Sequence, residues 1–270
     1  MSTDTKLAIL GTGNIGRAIG VGLVAAEEYE ATEIIMTRRK ADLLADLGDR
    51  GFQVLSDNKD AVQRADLLVV AVPPQDLNEL LREIAKSLDS QRHRLISIVS
   101  GVSIEQIVEQ IGTDVPVIRA MPNMAITVSE SMTCLAAREH DKDALAEAVR
   151  LFNAVGKTQV VSEKQIVAAM AICACGTAFF LRIIRAAMQG GIQIGFHPDE
   201  ALRMVAQTAL GASAVVLSTK NHPEHELDRV TTPRGCTIVG LNEMEDRGVS
   251  AAMIRGIVAS AEKAESLYAN

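Results

Sequence analysis

The chain has 270 residues, long for one compact core and comfortable for two, so a domain boundary is expected. Its formal net charge of -7 is spread along the sequence with neither half basic, which excludes an electrostatic footprint for nucleic acid or an anionic membrane surface and leaves a small-molecule partner. Hydrophobic residues make up 48% with 3% aromatics and no Trp, which suits closely packed small-residue helices better than a β-sandwich.

The amino-terminal stretch carries one Lys and a short apolar run that leads straight into a glycine motif, unlike a signal peptide, so a cytoplasmic location is expected. From Lys6 to Val161, short apolar or β-branched runs alternate with helical patterns. Strands are predicted at Lys6–Leu10, Glu33–Thr37, Gln53–Leu55, Leu67–Ala71, Leu95–Val99, Val115–Ala120, Met132–Ala136 and Thr158–Val161. Helices are predicted at Asn14–Glu28, Lys40–Leu47, Asn58–Arg64, Gln75–Ser87, Ser103–Ile111 and Asp141–Val155. The fold class is therefore α/β, with a doubly wound Rossmann-type parallel sheet over residues 1–161. After Val161 the strand signal ends, and an all-helical C-terminal domain is expected over residues 162–270.

Within the first domain, Leu7–Leu10 followed by Gly11-Thr12-Gly13-Asn14-Ile15-Gly16 is a strand, a glycine turn and a helix start in the order a dinucleotide site requires. Gly11 permits the tight turn, Gly13 lets backbone approach a pyrophosphate, and Gly16 lets helix and strand pack. The second predicted strand ends on Thr37-Arg38-Arg39-Lys40, where a site preferring NADH would place an acid for the ribose hydroxyls. Guanidiniums at Arg38 and Arg39 would instead clamp a 2′-phosphate, so NADPH is the expected cofactor, with NADH the alternative. A solvated cationic helix start is the structural alternative.

In the second part, Ile166 to Leu181 carries no charge, but it is shorter than the roughly 20 residues of a membrane span and contains Gly176, so a buried helix is predicted. A further helix is predicted to open at Pro198, with Leu202, Val205, Ala209, Ala212 and Val216 at helical spacing. The last helix, Ser250–Tyr268, repeats Ala251, Ile254, Val258, Ala261 and Tyr268 along one face. Such small-residue faces point to a dimer interface or to packing within the chain. Cys134, Cys173, Cys175 and Cys236 lack metal-ligand spacing and are expected as free thiols, with no metal. The five histidines show no catalytic pairing; His197-Pro198 and His222-Pro223 read as loop or helix-entry residues.

Further stretches resemble the pyrroline-5-carboxylate reductase family along essentially the whole chain. Ala71-Val72-Pro73-Pro74-Gln75 is similar to that family's Val-Lys-Pro-Gln segment beside the cofactor, with Pro73 where Lys is usual. Arg119-Ala120-Met121-Pro122-Asn123 resembles its Arg-x-Met-Pro-Asn near the nicotinamide, and Asn58 matches a family Asn near the adenosine. Val230-Thr231-Thr232-Pro233-Arg234-Gly235-Cys236-Thr237 is similar to the substrate loop Val-Thr-Ser-Pro-Gly-Gly-x-Thr. Cys173-Ala174-Cys175-Gly176-Thr177 parallels Ser-Gly-Ser-Gly-Pro, and Arg234 stands where the family has Gly, as third residue of a turn from Thr232 for which type I geometry is expected.

The resemblance implies NADPH-dependent reduction of 1-pyrroline-5-carboxylate to L-proline, in a homodimer that assembles further into a ring. It further implies that Thr232 bonds the substrate carboxylate, that the amides of Gly235 and Cys236 complete that nest, that Thr237 faces the ring nitrogen, and that Cys175 lies near the substrate. A plain helix cap at Thr237 is the structural alternative. The departures at Cys173, Cys175, Thr177 and Arg234 leave a paralogous reductase of another cyclic imino acid open. A β-hydroxyacid dehydrogenase is the nearest rival enzyme, but Ile166–Leu181 holds no Lys to serve as its acid/base. A NADP-binding regulatory protein without catalysis is the alternative of another class.

Overall fold

The computed structural model describes residues 6–268; the side chains of Leu267 and Tyr268 lie outside that description, so the expected place of Tyr268 on an apolar face does too. The chain forms two compact units, one built from the chain up to Ala174 together with the segment from Ala261 on, the other from Cys175–Ser260.

The first unit runs β1 (Leu7–Leu10), α1 (Asn14–Ala25), β2 (Ile34–Thr37), α2 (Ala45–Asp49), β3 (Gln53–Leu55), α3 (Asn58–Arg64), β4 (Leu67–Val70), α4 (Pro74–Ile84), β5 (Arg94–Ser97), α5 (Ile104–Ile111), β6 (Val117–Met121), β7 (Ser131–Ala137), α6 (Lys142–Asn153), β8 (Gly156–Val160) and α7 (Ile166–Met170). The strands form one eight-stranded sheet in the order β3-β2-β1-β4-β5-β6-β7-β8. Chain direction around the sheet reverses between β1 and β4, which creates a crevice at their carboxyl ends.

Every residue of β1, β2 and β4 is buried, as expected for central strands covered on both faces. Leu7 and Ile9 pack with Ile19, Leu23 and Phe152 on one face, while Ala8 and Leu10 pack with Leu77, Leu81 and Ile107 on the other. Local chemistry sets the helix ends. The Asp57 carboxylate accepts from the amides of Lys59 and Asp60 at the start of α3, Ser103 and Gln106 cap α5 reciprocally, and left-handed Gly112 ends it.

Two expectations need correction here. The sheet is not wholly parallel, because β7 runs antiparallel to β6 before β8 returns parallel to β7. Only a 3-10 turn, Met124–Val128, separates β6 from β7, too little chain for the crossover a parallel pair requires. The single helix expected over Lys40–Leu47 is instead a 3-10 turn, Ala41–Leu44, running into α2, since Lys40 offers no capping oxygen.

The helical sequence after Val161 passes through α7 and a π turn, Ala171–Cys175, into α8 (Gly176–Gln193). There follow α9 (Pro198–Thr219), α10 (Pro223–Val230), α11 (Cys236–Asp246) and α12 (Val249–Tyr268). His197 and His222 are the N-cap residues of α9 and α10, the helix-entry roles expected of them. A Cβ on Gly191 of α8 would lie 3.0 Å from that of Ala201 in α9, so small residues set this close helix contact.

The buried helix expected over Ile166–Leu181 is contradicted. Ile166 is buried, but Ile172, Phe180 and Leu181 are each at least 60% exposed in the single chain. A helix does not stop at one arginine, so the apolar stretch continues past Arg182, and Glu163–Gln193 and Pro198–Thr219 are both long and apolar enough to cross a membrane by length and composition alone.

Candidate active site

The crevice between the carboxyl ends of β1, β2 and β4 holds a cavity of about 850 Å3. It gathers Gly11, Thr12, Gly13, Asn14 and Ile15 from the glycine turn, Arg38 and Arg39 from beyond β2, Asn58 from α3, and Ala71, Val72 and Pro73 from beyond β4. Segments far apart in the chain thus meet because all of them leave the same edge of the sheet.

The glycines serve distinct ends. Gly11 has φ +90°, and a Cβ there would lie 2.4 Å from a methyl of Val72, so both backbone conformation and space demand glycine. Gly16 does not line the cavity; a Cβ on it would press on Ile9 and on the Gly11 carbonyl, which makes it the helix–strand contact. A Cβ on Gly13 would meet nothing within 4 Å, so its absence opens space at the start of α1. No side chain caps α1, and the first-turn amides that a helix cannot satisfy itself face a glycine cradle. That combination fits a pyrophosphate.

A half-buried polar relay braces the turn. The Thr37 hydroxyl accepts from the Gly11 amide at 3.3 Å and donates to Asn58 Oδ1 at 2.6 Å, while Asn58 Nδ2 donates to Glu83 at 2.9 Å. Thr37 thus occupies the end of β2 with a neutral hydroxyl. Arg38, Arg39 and Lys40 are exposed beside it, and Arg39 pairs with Asp76 of α4 at 2.8 Å. Cations without a competing strand-end acid fit a 2′-phosphate.

Lys40, Leu43, Asp76 and Ile98 also line the cavity. Lys40 belongs to the cationic segment; the other three carry no local signal and are brought in by tertiary structure. Pro74 and Asn123 are not among the lining residues. Pro74 opens α4, where its missing N–H costs nothing. The Asn123 side chain accepts from the Ala125 amide and donates to the Cys173 carbonyl at 3.1 Å, tying the end of β6 to the π turn. Arg119 of the same stretch is buried and pairs at 3.1 Å with Glu163, whose same oxygen accepts from the Ile104 amide at the start of α5.

In the second unit, Thr232, Gly235, Cys236 and Thr237 come together in one turn and helix start. The Gly235 amide donates to the Thr232 carbonyl at 2.9 Å, closing a turn around Pro233 and Arg234. Gly235 N-caps α11, so Cys236 and Thr237 are its first two residues, and Thr237 is not itself the cap. Two expectations change. The Gly235 amide is spent on the turn, so a carboxylate nest would draw on the amides of Cys236 and Thr237 instead. Gly235 contributes its missing side chain, because a Cβ would lie 2.5 Å from the Thr232 hydroxyl. The type I geometry expected for Arg234 is also absent: its φ is +62°, the type II pattern that favours glycine. Its side chain is exposed. Cys175 stands at the end of the π turn, half-buried, directly before α8.

A sheet with this strand order, a glycine turn at its reversal point and a cationic second-strand end defines a dinucleotide-binding protein. Two family models match: one described as NADP oxidoreductase coenzyme F420-dependent over residues 6–101, the other as pyrroline-5-carboxylate reductase dimerisation over residues 163–267. The chain is 44% identical to pyrroline-5-carboxylate reductase 2 of Dictyostelium discoideum over 100% of its own length and 96% of that protein's. It belongs to the pyrroline-5-carboxylate reductase family. Pyrroline-5-carboxylate reductase 1 of the same organism is 49% identical over 98% of this chain, which spans 50% of that longer protein. The fold matches the structure of a pyrroline-5-carboxylate reductase from Coxiella burnetii with a TM-score of 0.91 and 29% identity, covering 98% of this chain and 99% of that one.

Proposed function

We propose that the chain reduces 1-pyrroline-5-carboxylate to L-proline with NADPH, the closing step of proline synthesis. The observation that carries this reading is the intact nucleotide crevice in a chain that matches reductases of this name from end to end. NADPH, when bound, supplies the hydride that the imine carbon accepts. Gly11–Ile15 and the start of α1 hold the pyrophosphate, with Gly16 packing helix on strand; Arg38 and Arg39 hold the 2′-phosphate, Asn58 lies on the adenosine side, and Ala71–Pro73, followed by Pro74 at the start of α4, flank the cofactor. Asn123 supports the nicotinamide side by fixing the Met121–Asn123 backbone.

A cyclic iminium is already electrophilic, so the protein's task is to position it rather than to supply a strong acid. The turn and the start of α11 hold the substrate carboxylate through Thr232 and the first-turn amides, with Gly235 giving the room, Thr237 directed to the ring nitrogen and Cys175 nearby. The exposed apolar faces of residues 162–270 are the surface of a homodimer, with ring assembly beyond it, rather than membrane spans; Arg182 and Arg185 would be costly in hydrocarbon. A cytoplasmic place accords with that reading.

Single turnover with NADPH deuterated at the transferring position tests the proposal. Proline carrying one deuterium at the former imine carbon is the expected product. Unlabelled proline, or none, would overturn it.

A further inference from the structure

Two thiols that this function does not use lie against each other behind the Met121–Asn123 backbone. Cys134, on β7 directly opposite Met121 of β6, is 3% exposed, and its Sγ lies 3.8 Å from the Sγ of half-buried Cys173 in the π turn. We propose that Cys134 and Cys173 are an oxidant-responsive dithiol, which a hydroperoxide closes to a disulfide joining β7 to the π turn.

Their environments are unequal in the way such a pair requires. The hydrogen bond between the two sulfurs holds the Cys173 thiol down to about 7, while the same bond and burial push the Cys134 thiol up. Cys173, half-buried where Cys134 is buried, is the more accessible sulfur and the attacking one, and Cys134 is the sheltered resolving thiol. A disulfide requires the sulfurs to approach by about 2 Å from contact. The π turn is a single loosened turn between two α-helical stretches, so it can supply such a shift without unwinding either.

The chemistry balances as follows. The Cys173 thiolate attacks one oxygen of the hydroperoxide, the O–O bond breaks, and the departing alkoxide takes a proton to leave as alcohol, or as water when the oxidant is hydrogen peroxide. Cys173 becomes a sulfenic acid. The Cys134 sulfur then attacks it, the S–O bond breaks, and the hydroxyl leaves as water with the Cys134 proton. Two thiols are oxidised and one hydroperoxide is reduced. Because the Cys173 carbonyl holds the Asn123 amide, the bridge would also fix the π turn against the end of β6.

The test uses the purified full chain and one equivalent of hydrogen peroxide, followed by thiol alkylation, digestion and mass mapping. The bridge is covalent, so the readout does not depend on turnover. Expected are a linked Cys134–Cys173 peptide pair that dithiothreitol reverses, and Cys175 and Cys236 still alkylated. Cys173→Ser should slow oxidation of Cys134 about tenfold or more. Cys134→Ser should leave Cys173 as a sulfenic acid that dimedone traps. The proposal is overturned by Cys134 remaining alkylated while Cys175 or Cys236 reacts first, or by unchanged oxidation of Cys134 in Cys173→Ser.

Discussion

Asp76 changes how the cationic rim of the nucleotide crevice works, because its carboxylate holds Arg39 from 37 positions away. One guanidinium at the rim is already partly neutralised, which leaves Arg38 and Lys40 as the less compensated cations. Asp76→Asn should raise the ratio of kcat/KM for NADPH over NADH about threefold, in keeping with the small worth of an exposed ion pair. Replacing Arg38 by Asp and Arg39 by Ser together should lower that ratio by about 10 to 100-fold, since the 2′-phosphate loses charge-assisted bonds. An unchanged ratio in the double variant would show that this segment does not select the cofactor. At the turn proposed to hold the substrate, Thr237→Val keeps the shape but removes the hydroxyl, and kcat should fall about 10 to 100-fold with NADPH affinity unchanged.

Much of the nucleotide site was legible because glycine and arginine are there for reasons that act locally. The turn at Gly11 and the helix–strand contact at Gly16 each exclude a Cβ, and those exclusions appear in the sequence as spacing. Leu43, Asp76 and Ile98 were not legible, since a first-turn acid on α4 looks like ordinary helix chemistry until the fold sets it opposite Arg39. Arg234 was misjudged for a different reason. Residue identity argued for the type I geometry that arginine prefers, whereas the turn that Gly235 closes on Thr232 holds Arg234 at positive φ. A left-handed arginine costs roughly 1 kcal/mol, so Arg234→Gly should raise the free energy of unfolding by about that amount, read as a higher urea midpoint with no change in slope.

At the scale of elements, the central strands and their helices were readable from periodicity because both faces of the sheet are buried. The reversal of β7 was not. Strand polarity is set by how much chain lies between two strands, and the Pro122–Glu130 segment held the clue in its lack of a helical pattern. Arg119, Glu163 and the start of α5 form a further joint that no sequence spacing predicts. Arg119→Met removes the cation and leaves Glu163 with the Ile104 amide alone, so stability should fall by about 2 kcal/mol, less than for a fully buried pair because Glu163 is 26% exposed. Equilibrium urea unfolding measures this directly. A loss below about 0.5 kcal/mol would mean that the pair does not hold that joint.

For the whole molecule, strand patterns give way to helical ones after Val161, whereas the compact units part after Ala174 and the segment from Ala261 on groups with the first, and the exposure of the helical part carries no sequence signal. Periodicity reveals an apolar face without saying whether the same chain or another covers it. Light scattering at micromolar concentration should report at least a dimer, twice the 28.9 kDa chain, and a monomer would contradict the interface reading. The most direct measurement is NADPH oxidation by the purified chain with 1-pyrroline-5-carboxylate beside its six-membered homologue, with proline quantified in parallel. One proline formed per NADPH consumed, and a higher kcat/KM for the five-membered ring, is the expected result. NADPH consumed only with the six-membered ring, or with neither, would contradict it.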